Sequence, residues 1–110
     1  MFVMAQINLS DYKNIYLETA KEYINNLSLS YSKLLVNPQD MEAINMVHIS
    51  SHSLRSQSQV MGFSIIAELA ENIEKISSDI LTGVGKVNDT FMIFFKNSVD
   101  KLDLEIAQIK

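Results

Sequence analysis

The sequence predicts an all-α domain, an antiparallel up-down four-helix bundle with or without a short fifth helix. The chain has 110 residues, enough for one domain with a single apolar core. Hydrophobic residues make up 47% of it, with only three glycines and one proline, which is too apolar for a disordered chain and too poor in turn residues for a many-stranded sandwich. Apolar residues also recur at three- and four-residue steps in four segments joined by short connections, which favours antiparallel helices. We therefore treat residues 1–110 as one domain with helices near 10–36, 40–58, 64–82 and 88–109.

The first two predicted helices have recognisable ends. Ser10 or Asp11 can cap the first, and Asn37-Pro38 ends it because the residue before proline disfavours the α conformation. Gln39 or Asp40 opens the second, and Gly62 suits the left-handed turn that closes it. The core positions predicted for the first helix are Tyr12, Tyr16, Ala20, Tyr23, Leu27, Tyr31 and Leu34, and those for the second are Ile44, Val47, Ser51, Leu54 and Ser58.

The third and fourth helices follow the same pattern. Ser64 and Asn88 are the expected N-caps, and the segment 82–85 (TGVG) separates the two helices. The predicted core positions are Ile66, Leu69, Ile73, Ile76 and Ile80 in the third helix, and Phe91, Phe94 or Phe95, Val99, Leu102, Ile106 and Ile109 in the fourth.

Composition and charge exclude several classes of function. The chain has no cysteine, so disulfides and thiolate chemistry are excluded, and its formal net charge is -4 with nine Lys and Arg residues. Nucleic-acid binding needs clustered cations, and we expect none. No apolar run approaches the ~20 residues that span a bilayer, and the start, MFVMAQINLS, lacks the basic flank of a signal peptide. We expect no membrane association and a cytoplasmic location.

His52 and Glu74 occupy equivalent places on the second and third helices. His52 lies eight positions after Ile44, and Glu74 lies eight after Ile66. At about 100° per residue, each side chain projects roughly 120° from the centre of its apolar stripe. Counted from Gly62, their levels along the bundle differ by about 3 Å. The two side chains either share one seam or diverge to opposite flanks, and the pattern leaves both arrangements open.

A shared seam would give His52 a defined chemistry. A carboxylate that accepts from one ring nitrogen fixes the tautomer and leaves the other nitrogen as a nucleophile. Arg55, one turn along, could neutralise the charge of a phosphoryl group, and Ser56 is small enough to leave the approach open. Without a shared seam, His52, Glu74 and Arg55 read as ordinary solvated side chains.

The residues around His52 resemble the histidine phosphotransfer domains, especially those of the CheA-type chemotaxis kinases. The family pattern is His-x-Leu-Lys-Gly, then Met/Phe-Gly-Phe, then a glutamate in the next helix. Here these segments read HSLRS at 52–56, MGF at 61–63 and IE at 73–74, and the similarity covers nearly the whole chain. The resemblance implies a helical bundle in which His52 is the phosphoryl acceptor and Glu74 orients it. Arg55 stands where the family has lysine.

The function implied by the resemblance is that of a phosphoryl carrier rather than an enzyme. His52 would receive a phosphoryl group from a histidine kinase catalytic domain and pass it to an aspartate of a response-regulator receiver domain. The chain has no glycine-rich phosphate loop, so ATP and Mg²⁺ would belong to the partner domains, and we expect no cofactor of its own. Ile49, Ser56 and Gln59 are the candidate partner-docking rim around the histidine.

Two other interpretations remain open. Ser56 replaces the usual family glycine and Gln57 and Gln59 enlarge positions that are normally small, which favours a docking or dimerisation module that has lost phosphotransfer. His48 and His52 also form an i,i+4 pair that can hold a metal ion. A third ligand would have to come from Glu71 or Glu74, and we expect no physiological metal site.

Overall fold

Four α-helices form an antiparallel bundle in the computed structural model, which describes residues 9–109. They are α1 (Leu9–Val36), α2 (Met41–Met61), α3 (Ser64–Leu81) and α4 (Asp89–Ala107). Within residues 9–109 there is no strand and no fifth helix. Residues 1–8, most of the N-terminal segment that was compared with a signal peptide, lie outside the described residues, as does Lys110. The predicted all-α four-helix fold is confirmed.

Each helix packs against two others. α2 contacts α1 and α3, and α4 contacts the same two helices from the other side. The diagonal pairs, α1 with α3 and α2 with α4, make no contact within the described chain. The most extensive packing joins α2 and α3, the two helices that carry His52 and Glu74. None of the helices among residues 9–109 is long and apolar enough to cross a membrane.

The helix ends follow the cap signals with three exceptions. Asp40 Oδ1 accepts from the Ala43 amide at 3.1 Å, Asn88 Oδ1 accepts from the Phe91 amide at 2.9 Å, and Gly62 is left-handed with φ 80°. The cap predicted at Ser64 is wrong, because Phe63 takes the N-cap position without a side-chain bond and Ser64 is already helical. α1 begins at Leu9, so residues 10 and 11 lie in its first turn rather than before it. α2 continues to Met61, three residues past the predicted end.

The core follows the α2 prediction closely and departs from the predicted α1 and α3 stripes. All five predicted α2 positions are buried. Tyr12, predicted to be core, is 46% exposed, and Ile24 is buried in place of Tyr23. In α3 the small residues Ala70 and Ser77 are fully buried, while Leu69 and Ile76 are only partly buried against the core. The other three predicted α3 positions, Ile66, Ile73 and Ile80, are buried as expected.

Candidate functional site

His52 and Glu74 share the seam between α2 and α3. The His52 side chain is 54% exposed, and its Nδ1 lies 2.7 Å from Glu74 Oε2. Of the two arrangements that the sequence left open, the structure therefore has the shared seam. The contact agrees with the helical estimate in two respects. Both side chains point into the same seam, and a contact this short requires the two residues to lie at nearly the same height along the bundle.

Glu74 bonds two partners through separate oxygens. Its side chain is 17% exposed; Oε2 contacts His52, and Oε1 accepts from Arg55 Nε at 2.5 Å. Partial burial alone would raise the pKa of Glu74. The hydrogen bonds from Arg55 and His52, together with their charges, outweigh that effect and hold its pKa below the ordinary 4.5. Glu74 is therefore an ionised acceptor at neutral pH.

The charge of Glu74 assigns the proton on the His52 ring. An ionised carboxylate can only accept, so the 2.7 Å contact requires the proton on Nδ1. Arg55 Nη2 also lies 3.2 Å from Nδ1, but a protonated nitrogen cannot accept its hydrogen, so this contact is proximity and not a hydrogen bond. In the neutral ring the lone pair is then on Nε2, which bonds to none of the described residues. A neutral imidazole held in this way is a nucleophile at Nε2.

Arg55 is anchored on both sides. Its Nε donates to Glu74, its Nη1 lies 3.4 Å from Gln59 Oε1, and its side chain is 23% exposed. The bond to Glu74 raises the pKa of Arg55, which is charged in any case. Sequence reasoning assigned this cation to an incoming phosphoryl group and missed its contact with Glu74. The sequence did hold a signal for this contact. His52 and Glu74 were predicted at similar heights, and Arg55 lies one helical turn from His52, within reach of the same carboxylate.

The candidate docking rim is accessible. Ile49 is half exposed, Ser56 is partly buried, and Gln59 is exposed. Ser56 also borders a shallow groove of about 280 Å³ between α1 and α2 that is lined mainly by apolar side chains, among them Tyr12, Ile15, Tyr16, Val60 and Met61. Sequence reasoning missed this groove. Its signal was a pair of apolar residues, Ile15 and Val60, that lie off the core stripes and are strongly exposed.

The second histidine lies beside the seam. His48 lines a cavity of about 510 Å³ together with Arg55, Glu71, Glu74, Lys75, Ser78 and Asp79. Its Nδ1 is buried and has no hydrogen-bond partner among the described residues. Residues 9–109 contain no group of three or more His, Asp or Glu side chains placed to hold a metal ion, so neither Glu71 nor Glu74 completes a three-ligand site with the two histidines.

The chain is similar to a curated protein and to a solved structure. The chemotaxis protein CheA of Bacillus subtilis is 19% identical over 103 residues, covering 94% of this chain and 15% of CheA. The chain thus spans about one seventh of the length of this relative. The CheA phosphotransferase domain from Thermotoga maritima has a TM-score of 0.83 and 28% identity, with 89% of this chain and 93% of that domain covered. No protein-family model matches the chain.

Both relatives are CheA proteins, and the solved one is the phosphotransferase domain itself. The solved domain matches almost end to end, so the similarity concerns the whole bundle and not one helix pair. In sequence and in fold, the resemblance to histidine phosphotransfer domains of the CheA type is confirmed.

Proposed function

We propose that this chain is a phosphoryl carrier of a two-component signalling system, with His52 as the acceptor. The observation that carries the proposal is the 2.7 Å contact between Glu74 Oε2 and His52 Nδ1, which leaves Nε2 as an exposed lone pair. The likeness to the CheA phosphotransferase domain supports the same chemistry.

The proposed transfer has two balanced steps. In the first, His52 Nε2 attacks the γ-phosphorus of ATP held by a histidine kinase catalytic domain, a P–N bond forms, and the bond to the ADP oxygen breaks. The ring keeps its Nδ1 proton, and the positive charge that it gains is stabilised by Glu74. In the second, a carboxylate oxygen of a receiver-domain aspartate attacks the same phosphorus, and the P–N bond breaks. No proton has to leave His52 in either step.

The remaining parts of the proposal concern roles and partners. Arg55 would supply positive charge beside the transferred group, and Ile49, Ser56 and Gln59 would form the rim on which a partner sits. ATP and Mg²⁺ would come with the kinase domain, so the chain is a substrate and carrier with no cofactor of its own. A cytoplasmic location follows from such partners and is proposed with them.

The test is a labelling experiment that needs no cognate kinase. Phosphoramidate, a small-molecule phosphoryl donor for imidazoles, should label the protein on one histidine, with a bond that is labile in acid and stable in base. Phosphorus–nitrogen correlation in NMR should place the phosphorus on Nε2. His52→Gln should abolish the label, and His48→Gln, the matched control at the other histidine, should keep it.

A second labelling experiment separates the carrier from a docking module. With a CheA-type kinase domain and ATP, the wild type should be labelled at the same atom and should lose the label to a receiver domain. A protein that binds these partners but takes no label from either donor would be the docking or dimerisation module, and the carrier would be rejected.

A further inference from the structure

Both histidines of the chain lie on one side of α2. The sequence holds two, His48 and His52, four residues apart, which makes their side chains neighbours on the helix surface. Helical side chains lean toward the N-terminus of their helix, so we expect the His52 side chain to lean toward the turn that carries His48.

In both histidine rings, Nδ1 is the nitrogen that faces the protein. His52 Nδ1 is held by Glu74, and His48 Nδ1 is buried. In each ring, Nε2 is therefore the nitrogen available to an outside ligand, and neither Nε2 bonds to another described residue. Arg55 Nη2 lies 3.2 Å from His52 Nδ1, the ring nitrogen that also contacts Glu74.

We propose that His48 and His52 together bind a divalent transition-metal ion of the zinc class through their two Nε2 atoms. Neutral imidazole is a preferred ligand of such ions, and two histidines one helical turn apart are a recurrent chelating pair. Glu74 contributes from outside the coordination sphere, because a carboxylate on Nδ1 orients the ring and makes the other nitrogen more basic.

The site is open rather than a closed structural centre. Since no third His, Asp or Glu side chain among residues 9–109 is placed to complete it, water fills the remaining positions. From the sequence we expected no metal site, because a third protein ligand would have had to come from Glu71 or Glu74. A pair of histidines with water does not need one, and it binds reversibly.

Metal binding and phosphotransfer would then exclude each other. Both use the lone pair on His52 Nε2, so a bound ion blocks attack on phosphorus, and a phosphoryl group removes one of the two ligands. This consequence rests on the proposed function, whereas the metal site itself does not.

The binding test uses ZnCl₂ and the imidazole region of the nitrogen–proton NMR spectrum, which contains only these two side chains. One equivalent of Zn²⁺ should shift both Nε2 resonances. His48→Gln should weaken binding by about 10-fold or more, and Glu74→Gln by roughly 10- to 100-fold, as for other outer-sphere partners. Glu71→Gln, a nearby carboxylate without a proposed role, should leave affinity unchanged. Equal affinity in His48→Gln, or a shift of one ring alone, would overturn the site.

The competition test labels the protein with phosphoramidate at rising Zn²⁺. Labelling of the wild type should slow as the site fills, while His48→Gln should be labelled at its usual rate over the same concentrations. Zn²⁺ that binds both rings without slowing the label would overturn the exclusion. Zn²⁺ binding in a protein that never takes the label would support the site and reject the carrier function.

Discussion

Arg55 and His52 bind the two different oxygens of the Glu74 carboxylate, so Arg55 can influence the histidine by holding Glu74 in place. Arg55 Nε lies 2.5 Å from Oε1, and His52 Nδ1 lies 2.7 Å from Oε2. The carboxylate is thereby held in one orientation by two donors from α2. A single substitution at Glu74 or Arg55 should change the behaviour of His52 without changing the histidine itself.

Replacing the carboxylate should slow phosphorylation. Glu74→Gln keeps the shape and an acceptor oxygen but removes the charge that favours the Nδ1 proton and stabilises the charged ring. A hydrogen bond to a charged group contributes about 1.5–3 kcal/mol, so the labelling rate should fall by roughly 10- to 100-fold. Glu68→Gln, an exposed carboxylate on the same helix, is the matched control and should label normally. A wild-type rate in Glu74→Gln would remove Glu74 from the mechanism.

Removing the arginine should be visible in the titration of its neighbour. Arg55→Ala takes away one of the two hydrogen bonds that lower the pKa of Glu74, so that pKa should rise toward or above 4.5. Carbon-detected NMR of the Glu74 carboxyl measures it directly. Arg55→Lys should give an intermediate value, because an ammonium keeps the charge but not the guanidinium geometry. An unchanged Glu74 pKa in Arg55→Ala would show that the contact has no energetic weight.

The same lowered pKa makes the fold sensitive to acid. A carboxylate whose pKa is lower in the folded than in the unfolded state stabilises the fold above its unfolded pKa. That stability is lost as the pH falls through the folded value. The difference in unfolding free energy between wild type and Glu74→Gln should therefore shrink as the pH drops below about 4.5. Urea titrations at several pH values measure it, and in a His52→Gln background the difference should be smaller at every pH above 4.5, because His52 is one of the groups that lower this pKa.

The structural features that the sequence predicted are those that depend on a single helix. Asp40, Asn88 and Gly62 act through their own backbone neighbours, and the five α2 core positions follow from periodicity, so each was accessible from local pattern. The seam was not, because equal offsets on antiparallel helices allow two arrangements and bundle handedness selects between them. Only the packed helices show that His52 faces Glu74.

The predicted and observed cores differ at particular positions of α1 and α3. Tyr12 was assigned to the core because it falls on the helical periodicity, yet it is 46% exposed beside Ile15 and Val60. Ala70 and Ser77 were not among the predicted core positions, yet both are fully buried in α3. Where two helices approach closely, the space between them selects small residues, and hydrophobicity alone ranks the wrong neighbours first.

A hydrogen bond between two buried hydroxyl groups joins α1 to α2. Tyr16 Oη and Ser58 Oγ lie 2.7 Å apart, and the Tyr16 ring stacks on Phe63 with centroids 5.0 Å apart. Burial raises the pKa of Tyr16 more than the Ser58 bond lowers it, so the phenol stays protonated. Tyr16→Phe leaves Ser58 without this partner and should cost about 1–3 kcal/mol of unfolding free energy.

A double-mutant cycle isolates that bond. Adding Ser58→Ala to Tyr16→Phe removes the group left without its partner, so the double variant should be less unstable than the sum of the two single changes. Strict additivity would mean that the hydroxyls do not interact. Labelling of His52 should be unaffected in all three variants, since neither residue contacts it.

The turn after α2 should depend on the conformation of Gly62 and not on its small size. Gly62 has φ 80°, and a Cβ built there would meet no atom within 4 Å, so an added methyl group has room but the backbone is strained. Gly62→Ala should therefore destabilise the fold by about 1–2 kcal/mol, the cost of a left-handed non-glycine residue. Gly62→Asn should cost less, because asparagine visits that region more readily. Thermal unfolding followed by circular dichroism measures both, and an alanine variant as stable as the asparagine variant would contradict the strain. Because the extensive packing between α2 and α3 holds the two helices together, each variant should keep the His52–Glu74 contact as long as it is folded, and its labelling rate should stay at the wild-type value.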